Sequence, residues 1–283
     1  MKPDLAGQRL NLTLAGASLL LLLAPSPARG QAAWLPPAGQ FVVGTQYVFE
    51  TYRELYLGNR QSSRLRDDVN QHTFSLTGEY GLGARWAVDA TIGYVTTDTT
   101  AFGPGFSSDS GLADSRFGLR YGLANEFESA SAWAPTVTAR VGGIAAGTYS
   151  YLSPAGDGAS GGESSLLLGK ILPGLGVGLH AEVGYRVREN PVPDEYFAVF
   201  GVFKRIDEVV LSAGIRHTQA VSGQNLGGGR PRWPQLKEIV DQFELGFGWV
   251  DGPRTYQIFS AYTFDGKNTP KRLALGFGMN WGF

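Results

Sequence analysis

The side chains best suited to chemistry in this sequence belong to its three histidines, His72, His180 and His217. A serine nucleophile needs a histidine within hydrogen-bond reach, which on a single β-strand means a spacing of two residues. Neither His180 nor His217 has a serine at that spacing. A pair across two strands, for instance with Ser212, remains open, but no pattern selects it. We therefore expect no catalytic residue and no enzyme.

Metal and cofactor chemistry have equally little support. The chain has no cysteine, which excludes disulfides, thiolate metal ligands and a cysteine nucleophile. No two histidines have the spacing of metal ligands. The segment Gly174–Gly178 superficially resembles a dinucleotide-binding loop, but it lacks the third glycine and a following helix. We interpret it as a turn that enters a strand, and we expect no metal and no cofactor.

A second set of candidate residues is charged and alternates with apolar positions. Its members are Asp89, Asp114, Arg116, Arg120, Arg140, His180, Glu182, Arg186, Arg188 and Glu244. The formal net charge of the chain is −1, so it has no concentrated basic surface for nucleic acid. Charges on the inside of a strand protein either set ion selectivity and orient polar solutes, or neutralise one another in a filled interior. Both interpretations stay open.

The elements that must position these charges are alternating β-strands. From 272 to 283 apolar and aromatic side chains occupy every second position, with small or polar ones between. The last four of these apolar positions are Phe277, Met279, Trp281 and Phe283. A strand with this ending resembles the signal that the outer-membrane barrel assembly machinery reads. The same alternation recurs upstream, with charges and glycines on one face and aromatic residues near the strand ends.

About twelve such segments of roughly 9–12 residues cover the chain, the length that a tilted strand needs to cross a bilayer; ten or fourteen are the alternatives. We predict strand starts near Gln40, Val69, Trp86, Gly111, Ala134, Ser164, Val177, Glu195, Val209, Ile239, Thr255 and Arg272. Strands in lipid must close on themselves, because unpaired backbone groups are not tolerated there. The pattern predicts an all-β fold, a transmembrane antiparallel up-and-down β-barrel.

The connections between these segments alternate in length. Tight turns are predicted at 81–85, 173–176, 206–208 and 251–254, and longer polar loops around 53–68, 98–109, 147–163 and 219–235. Short turns on one side and long loops on the other are typical of outer-membrane barrels. The segment 124–133 is long for a turn on the short side. A water-soluble barrel or sandwich is the competing architecture, and it would bury the apolar face instead.

The N-terminus has the pattern of a secretory signal peptide. Lys2 and Arg9 precede an apolar, leucine-rich run, and small residues follow before Gly30. This order of regions favours cleavage after Gly30, so we predict a signal peptide at 1–30 and the barrel at 31–283. The predicted location is the outer membrane of a Gram-negative bacterium. The sequence leaves the oligomeric state open.

Two stretches carry a family resemblance. Gly81–Val95 has a Gly-Leu turn that leads into an aromatic-led strand, and Ser110–Leu123 has a strand that ends in Tyr-x-Leu. Together they resemble the outer-membrane barrel family named for meta-pathway phenol degradation. The resemblance implies passage of small, often aromatic compounds and no catalytic residue.

These patterns lead to one main functional hypothesis, a channel for passive uptake of small molecules, including hydrophobic or aromatic ones. Its expected partners are the lipid bilayer, the barrel assembly machinery and a small-molecule solute. The first alternative is a structural or surface-interaction barrel with a plugged lumen. The second is an outer-membrane acyl hydrolase.

Overall fold

The structure is a computed structural model that describes residues 33–58, 62–98, 100–102, 107–149, 157–172, 174–225 and 235–283. The predicted signal peptide at 1–30 and the part of the predicted loop from 226 to 234 lie outside the described residues. Within the described ranges, no helix has the length and apolar character to cross a bilayer.

Twelve long strands and two short ones make up the described chain. They are β1 (Phe41–Tyr56), β2 (Ser62–Gly81), β3 (Trp86–Asp98), the short β4 (Asp109–Leu112), β5 (Ser115–Ala124), β6 (Thr136–Ala145), β7 (Gly161–Leu172), β8 (Val177–Arg188), β9 (Glu195–Ile206), β10 (Val209–Ala220), β11 (Ile239–Asp251), β12 (Arg254–Lys267), the short β13 (Thr269–Pro270) and β14 (Leu273–Gly282). A single 3₁₀ turn, Thr100–Phe102, follows β3. The predicted count of twelve strands is confirmed.

Each long strand pairs antiparallel with its neighbour in sequence, and the last pairs with the first, so the sheet is a closed barrel. At the seam Thr45 of β1 is opposite Met279 of β14. Below the seam, the backbone N–H groups of Phe41 and Phe283 each donate to the carbonyl of the other. Closure satisfies the ladder hydrogen bonds and removes sheet edges, as a strand protein in lipid requires.

The two faces of the wall differ as the alternation predicted. The Phe277 side chain is 53% exposed on the outside, whereas Ala274, on the opposite face of β14, is 5% exposed. Exposed aliphatic and aromatic side chains cover the outer face along every long strand. This orientation contradicts the water-soluble alternative, since such a barrel would bury its apolar face. The outer surface instead suits a hydrocarbon environment.

Four of the five turns on one end are tight, as predicted, and the exception is the β5–β6 connection at 125–135. The connections from β3 to β5, from β6 to β7 and from β10 to β11 at the other end are long. Gly174, Gly176 and Gly252 have positive φ angles of 79°, 61° and 56°, which glycine adopts without steric cost. Asp207 makes the β9–β10 turn at φ 53°. Both described chain ends lie on the side of these tight turns, so we call it the periplasmic side and the opposite one the extracellular side.

Several predicted boundaries were wrong. The predicted loop 53–68 is mostly strand, because β1 and β2 continue their pairing to Tyr56 and Ser62 past a bulge near Tyr52. Polar residues occur on both faces there, so the extended hairpin lacks the alternation that marks a lipid-facing strand. The strand predicted from Gly111 is interrupted between β4 and β5, which leaves Asp114 outside both.

Inward-facing aromatic rings lie flat on glycines of the adjacent strand. The ring of Phe203 covers Gly178, and that of Phe259 covers Gly276. A Cβ atom at either glycine would overlap the ring. The glycine-rich inner face thus lets large side chains lie against the wall instead of projecting across the barrel.

Candidate functional site: the barrel interior

A ladder of ion pairs runs along the inner wall from β2 to β7. Arg120, which has no exposed side-chain surface, donates to Glu79 at 2.5 Å and lies 3.4 Å from Asp89. Arg140 then joins Asp89, at 2.8 Å, to Glu163. Arg120, Asp89, Arg140 and Glu163 are each shared between two partners on different strands.

The ladder continues on β8 and β9. Arg186 contacts Glu163 at 3.1 Å and also pairs with Glu195. Arg116 extends toward the same group and acts electrostatically on Glu163 and Arg186. Among the described residues Arg116 has no ion pair or hydrogen bond of its own, which distinguishes it from Arg120, Arg140, Arg186 and Arg188.

At the extracellular end, Arg188 forms ion pairs with residues of two connecting segments. Its guanidinium lies 2.8 Å from Asp114 and 3.4 Å from Asp157. Asp114 also accepts hydrogen bonds from the Gly147 backbone N–H, at 2.9 Å, and from the Tyr149 hydroxyl, at 2.7 Å. Burial, and then the adjacent Asp114 carboxylate, raise the pKa of Tyr149, so its hydroxyl stays protonated and donates. The loop between β6 and β7 is therefore fastened to the β8 wall.

A smaller group faces the ladder from the other side of the barrel. Arg216 of β10 contacts Glu244 of β11 at 3.3 Å. His180 lines a cavity with Glu244 and Ser212, and its buried Nε2 atom has no hydrogen-bond partner among the described residues. Glu182 is 6% exposed, and Arg216 and Arg140 are the cations that act on it.

With this geometry established, the chain can be compared with known proteins. No protein-family model matches it, and no curated protein matches its sequence. Among solved structures, an outer membrane channel from Pseudomonas putida F1 aligns with a TM-score of 0.71 and 15% identity over 92% of this chain and 98% of that one. The KdgM porin in complex with disordered oligogalacturonate aligns with a TM-score of 0.51 and 6% identity over 85% of this chain and 99% of that one.

The fold is that of an outer-membrane β-barrel. At such low identities the likeness is one of fold alone.

In this outer-membrane β-barrel, the residues proposed as an assembly signal lie on the outer face of the closing strand. Phe277 and the terminal Phe283 are exposed, and the Trp281 ring lies 5.1 Å from the Arg254 guanidinium. Met279 follows the same parity on β14. Their recognition by the assembly machinery stays a prediction.

The contacts that the structure shows for His72 and His217 are not with a serine. His217 Nδ1 lies 2.7 Å from the Asp241 carboxylate, and His72 Nδ1 lies 2.7 Å from the Tyr47 hydroxyl. His180 and Ser212 line one cavity, but β9 lies between their strands. In the described part of the chain, no group of three or more His, Asp or Glu side chains has metal-binding geometry.

The sequence analysis missed several partners in the ladder. Glu163 was placed at the end of a predicted loop, although β7 begins at Gly161. Arg216 shares the inward parity of Gly214 on β10, and Glu79 shares that of Thr77 on β2, so alternation alone could have placed both. Asp157 lies in a loop, where no periodicity could reveal its contact with Arg188.

Proposed function

We propose that the protein is a channel in the outer membrane of a Gram-negative bacterium, through which small molecules enter passively. The observation that carries this proposal is the closed barrel of twelve strands with an apolar outer face and a charged inner face. Transmembrane barrels with polar interiors commonly conduct water-soluble solutes. The likeness in fold to an outer membrane channel supports the same function.

The preferred solutes in this proposal are small molecules with an apolar or aromatic part. The inner wall is divided, because the ion-pair ladder follows β2 to β9 whereas the flat rings of Phe203, near the periplasmic end of β9, and Phe259, on β12, cover neighbouring glycines outside the ladder. A solute with a planar apolar side could slide along the rings while a polar group faces the charges. The resemblance to the meta-pathway phenol-degradation barrels supports this solute class.

The charges of the ladder would orient solutes and set ion preference. The carboxylates of Glu79, Asp89 and Glu163 balance the guanidinium groups of Arg120, Arg140 and Arg186, so these residues hold the wall in shape more than they attract ions. Arg116 is the arginine of this group that has no direct partner among the described residues. Most of the interior residues named from the sequence therefore stabilise the wall through ion pairs, and only a few would contact the solute.

Conductance measurements on the refolded mature chain in planar bilayers test the proposal. We expect steady conductance, and in vesicles we expect swelling with small sugars or aromatic solutes but not with large ones. Heat-modifiable mobility in gels serves as the control for folding. A correctly folded barrel that is silent in both assays would contradict the channel.

The second candidate is a barrel with a plugged lumen whose loops bind a partner. The closed ion pairs of the ladder and the fastened extracellular loop favour it. Such a barrel would fold normally, would not conduct, and would lose its role when its loops are replaced. An acyl hydrolase is the third candidate and predicts loss of ester hydrolysis in His180→Ala or His217→Ala.

Export and assembly complete the proposal. Residues 1–30 would direct the chain across the inner membrane, and the last strand would be read by the barrel assembly machinery. Replacing Phe283 by Ala should then lower the amount of folded barrel in the outer membrane, whereas the same protein refolded in detergent should keep its stability. Equal amounts of both proteins in the membrane would contradict the signal.

A further inference from the structure

The segment before β1 lies inside the barrel at its periplasmic end. Trp34 is 5% exposed and Ala33 is 1% exposed, although both precede the first strand. A chain end outside the sheet would ordinarily stay in water, so the burial of a large apolar ring requires a specific arrangement. We call residues 33–40 the N-terminal segment.

The indole ring of Trp34 packs against strands on the far side of the opening. It meets the Phe203 ring edge to face, with a distance of 5.9 Å between centroids. Val210 and Val250 belong to the same buried cluster, and Ile171 packs against it. These residues lie near the periplasmic ends of β7, β9, β10 and β11, so one side chain joins four strands across the mouth.

A polar latch holds the ring in place. The indole Nε1–H donates to Glu126 Oε1 at 2.9 Å. The other oxygen of Glu126 accepts from Lys170 Nζ and from the Ile171 backbone N–H, both at 3.0 Å. Glu126 lies in the connection between β5 and β6, which the sequence had marked as unusually long for this side. Its length allows Glu126 to fold back under the barrel.

The backbone of the segment is fixed at both of its ends. The Thr138 hydroxyl donates to the Ala33 carbonyl at 2.6 Å, and Gly39 N–H donates to the Gly81 carbonyl at 2.8 Å. Two wall positions are glycine where the segment passes. A Cβ at Gly169 would lie 2.8 Å from the indole ring, and one at Gly81 would overlap the Pro37 carbonyl.

We infer that the N-terminal segment is a plug that closes the periplasmic end of the lumen, with Trp34 as its stopper and Glu126 as its latch. The inference rests on the proposed channel function. Pro36 and Pro37 form a stiff link, because proline fixes its own φ angle, and the chain turns at Gly39 with φ 79°. Residues 33–38, which precede this turn, can therefore swing out as one piece while β1 stays in the wall.

The test compares two tryptophans on the same side of the membrane. Trp34→Ala removes the stopper, whereas Trp133→Ala removes a ring that is 84% exposed in the β5–β6 connection. In planar bilayers, we expect Trp34→Ala to raise the open fraction roughly tenfold or more, the scale set by losing one large buried side chain from a two-state equilibrium. Trp133→Ala should conduct like the unmodified barrel.

A reversible disulfide between the segment and the wall distinguishes movement of the plug from other effects of Trp34→Ala. Because the chain has no cysteine, Ala33→Cys with Gly169→Cys creates a single possible disulfide. A Cβ at position 169 lies 3.0 Å from the Ala33 Cβ, within a few tenths of an ångström of the separations that disulfides adopt, about 3.5–4.5 Å. Gly169→Cys alone controls for crowding of the indole ring. Oxidation should abolish opening, and reduction should restore it.

Each outcome is decisive for one proposal. If the disulfide forms and the oxidised barrel conducts as the reduced one does, the plug is wrong and the channel stands. If Trp34→Ala and Trp133→Ala both conduct measurably and to the same extent, the plug is also wrong. If every folded variant is silent, including Trp34→Ala, the channel function itself is wrong.

Discussion

Arg120 of β5 donates a hydrogen bond to Glu79 of β2 at 2.5 Å, although β3 lies between their strands. The arginine side chain therefore crosses over one strand on the inner wall and passes Asp89 of β3 on its way. Long side chains that bridge second neighbours hold the curvature of the barrel as well as its charge balance. The following variants separate these two roles.

Loss of Arg120 should destabilise the barrel. Arg120→Ala leaves Glu79 without this cation and weakens the neutralisation of Asp89, so we expect the free energy of unfolding to fall by about 3–5 kcal/mol, as when one partner of a buried pair is removed. Urea unfolding in phospholipid vesicles, followed by tryptophan fluorescence, measures this change. Arg116→Ala is the matched control and should change stability by about 0.5 kcal/mol or less. Equal losses in both would contradict a structural role for the ladder.

Loss of Arg116 should instead change ion preference. Its charge has no direct partner among the described residues, so Arg116→Ala makes the lumen more negative and should shift the reversal potential in a KCl gradient toward cation selectivity. Lys204→Ala, which removes one positive charge from an exposed position on β9, should leave the potential unchanged. A shift of the same size in both variants would place the effect at the membrane surface.

The extracellular side should lose stability as the pH rises. Glu238 lies directly before β11; burial first, and then the Asp157 carboxylate, raise its pKa to about 8, while Arg272 opposes this rise. The folded chain then holds a proton that the unfolded chain releases near its ordinary value of 4.5. Stability must therefore fall as the pH increases from 4.5 to about 8 and level off above it.

Unfolding midpoints between pH 5 and 9 test this dependence. Glu238→Gln keeps the neutral form at every pH, so its curve should lack the decline that the unmodified barrel shows over this range. Glu208→Gln, in an exposed periplasmic turn, should follow the unmodified protein. Parallel curves for all three proteins would show that Glu238 is already ionised at neutral pH.

The fit of ring on glycine should be sensitive to one methyl group. Gly276→Ala places a Cβ into the Phe259 ring, and such overpacking typically costs about 1–3 kcal/mol. Gly83→Ala is the control, because nothing lies within 4 Å of a Cβ there. In the Phe259→Ala background, adding Gly276→Ala should cost less stability than it does in the unmodified protein, because the ring that the new Cβ would meet is absent. Additive losses would mean that the cost of Gly276→Ala does not come from the Phe259 ring.

Period-two alternation was enough to predict the wall of this protein. The predicted starts at Trp86, Val177, Glu195, Val209 and Ile239 coincide with those of the structure, because a strand with one face in lipid cannot shift by one residue without reversing every side chain. The same reasoning correctly assigned the apolar residues to the outside.

Contacts across the barrel could not be predicted in this way. Alternation says that Arg140 faces inward, but not that it lies between Asp89 and Glu163, since that depends on the register of three strands and on side-chain length. Trp34 was missed for a different reason. It precedes the first strand, and its burial depends on Glu126, far away in the sequence and in a connection without periodicity.

The seam between β1 and β14 has a kinetic consequence. Its backbone hydrogen bonds join residues near the two ends of the described chain, so the pairs that complete the cylinder have among the largest sequence separations that the fold allows. Chain entropy opposes such contacts most strongly, and topologies dominated by them fold slowly. A ribosome-tethered or partly exported chain that lacks β14 cannot form these pairs. The cylinder must stay open until its last strand has arrived, and until then the edge of β1 that faces β14 has unpaired backbone groups.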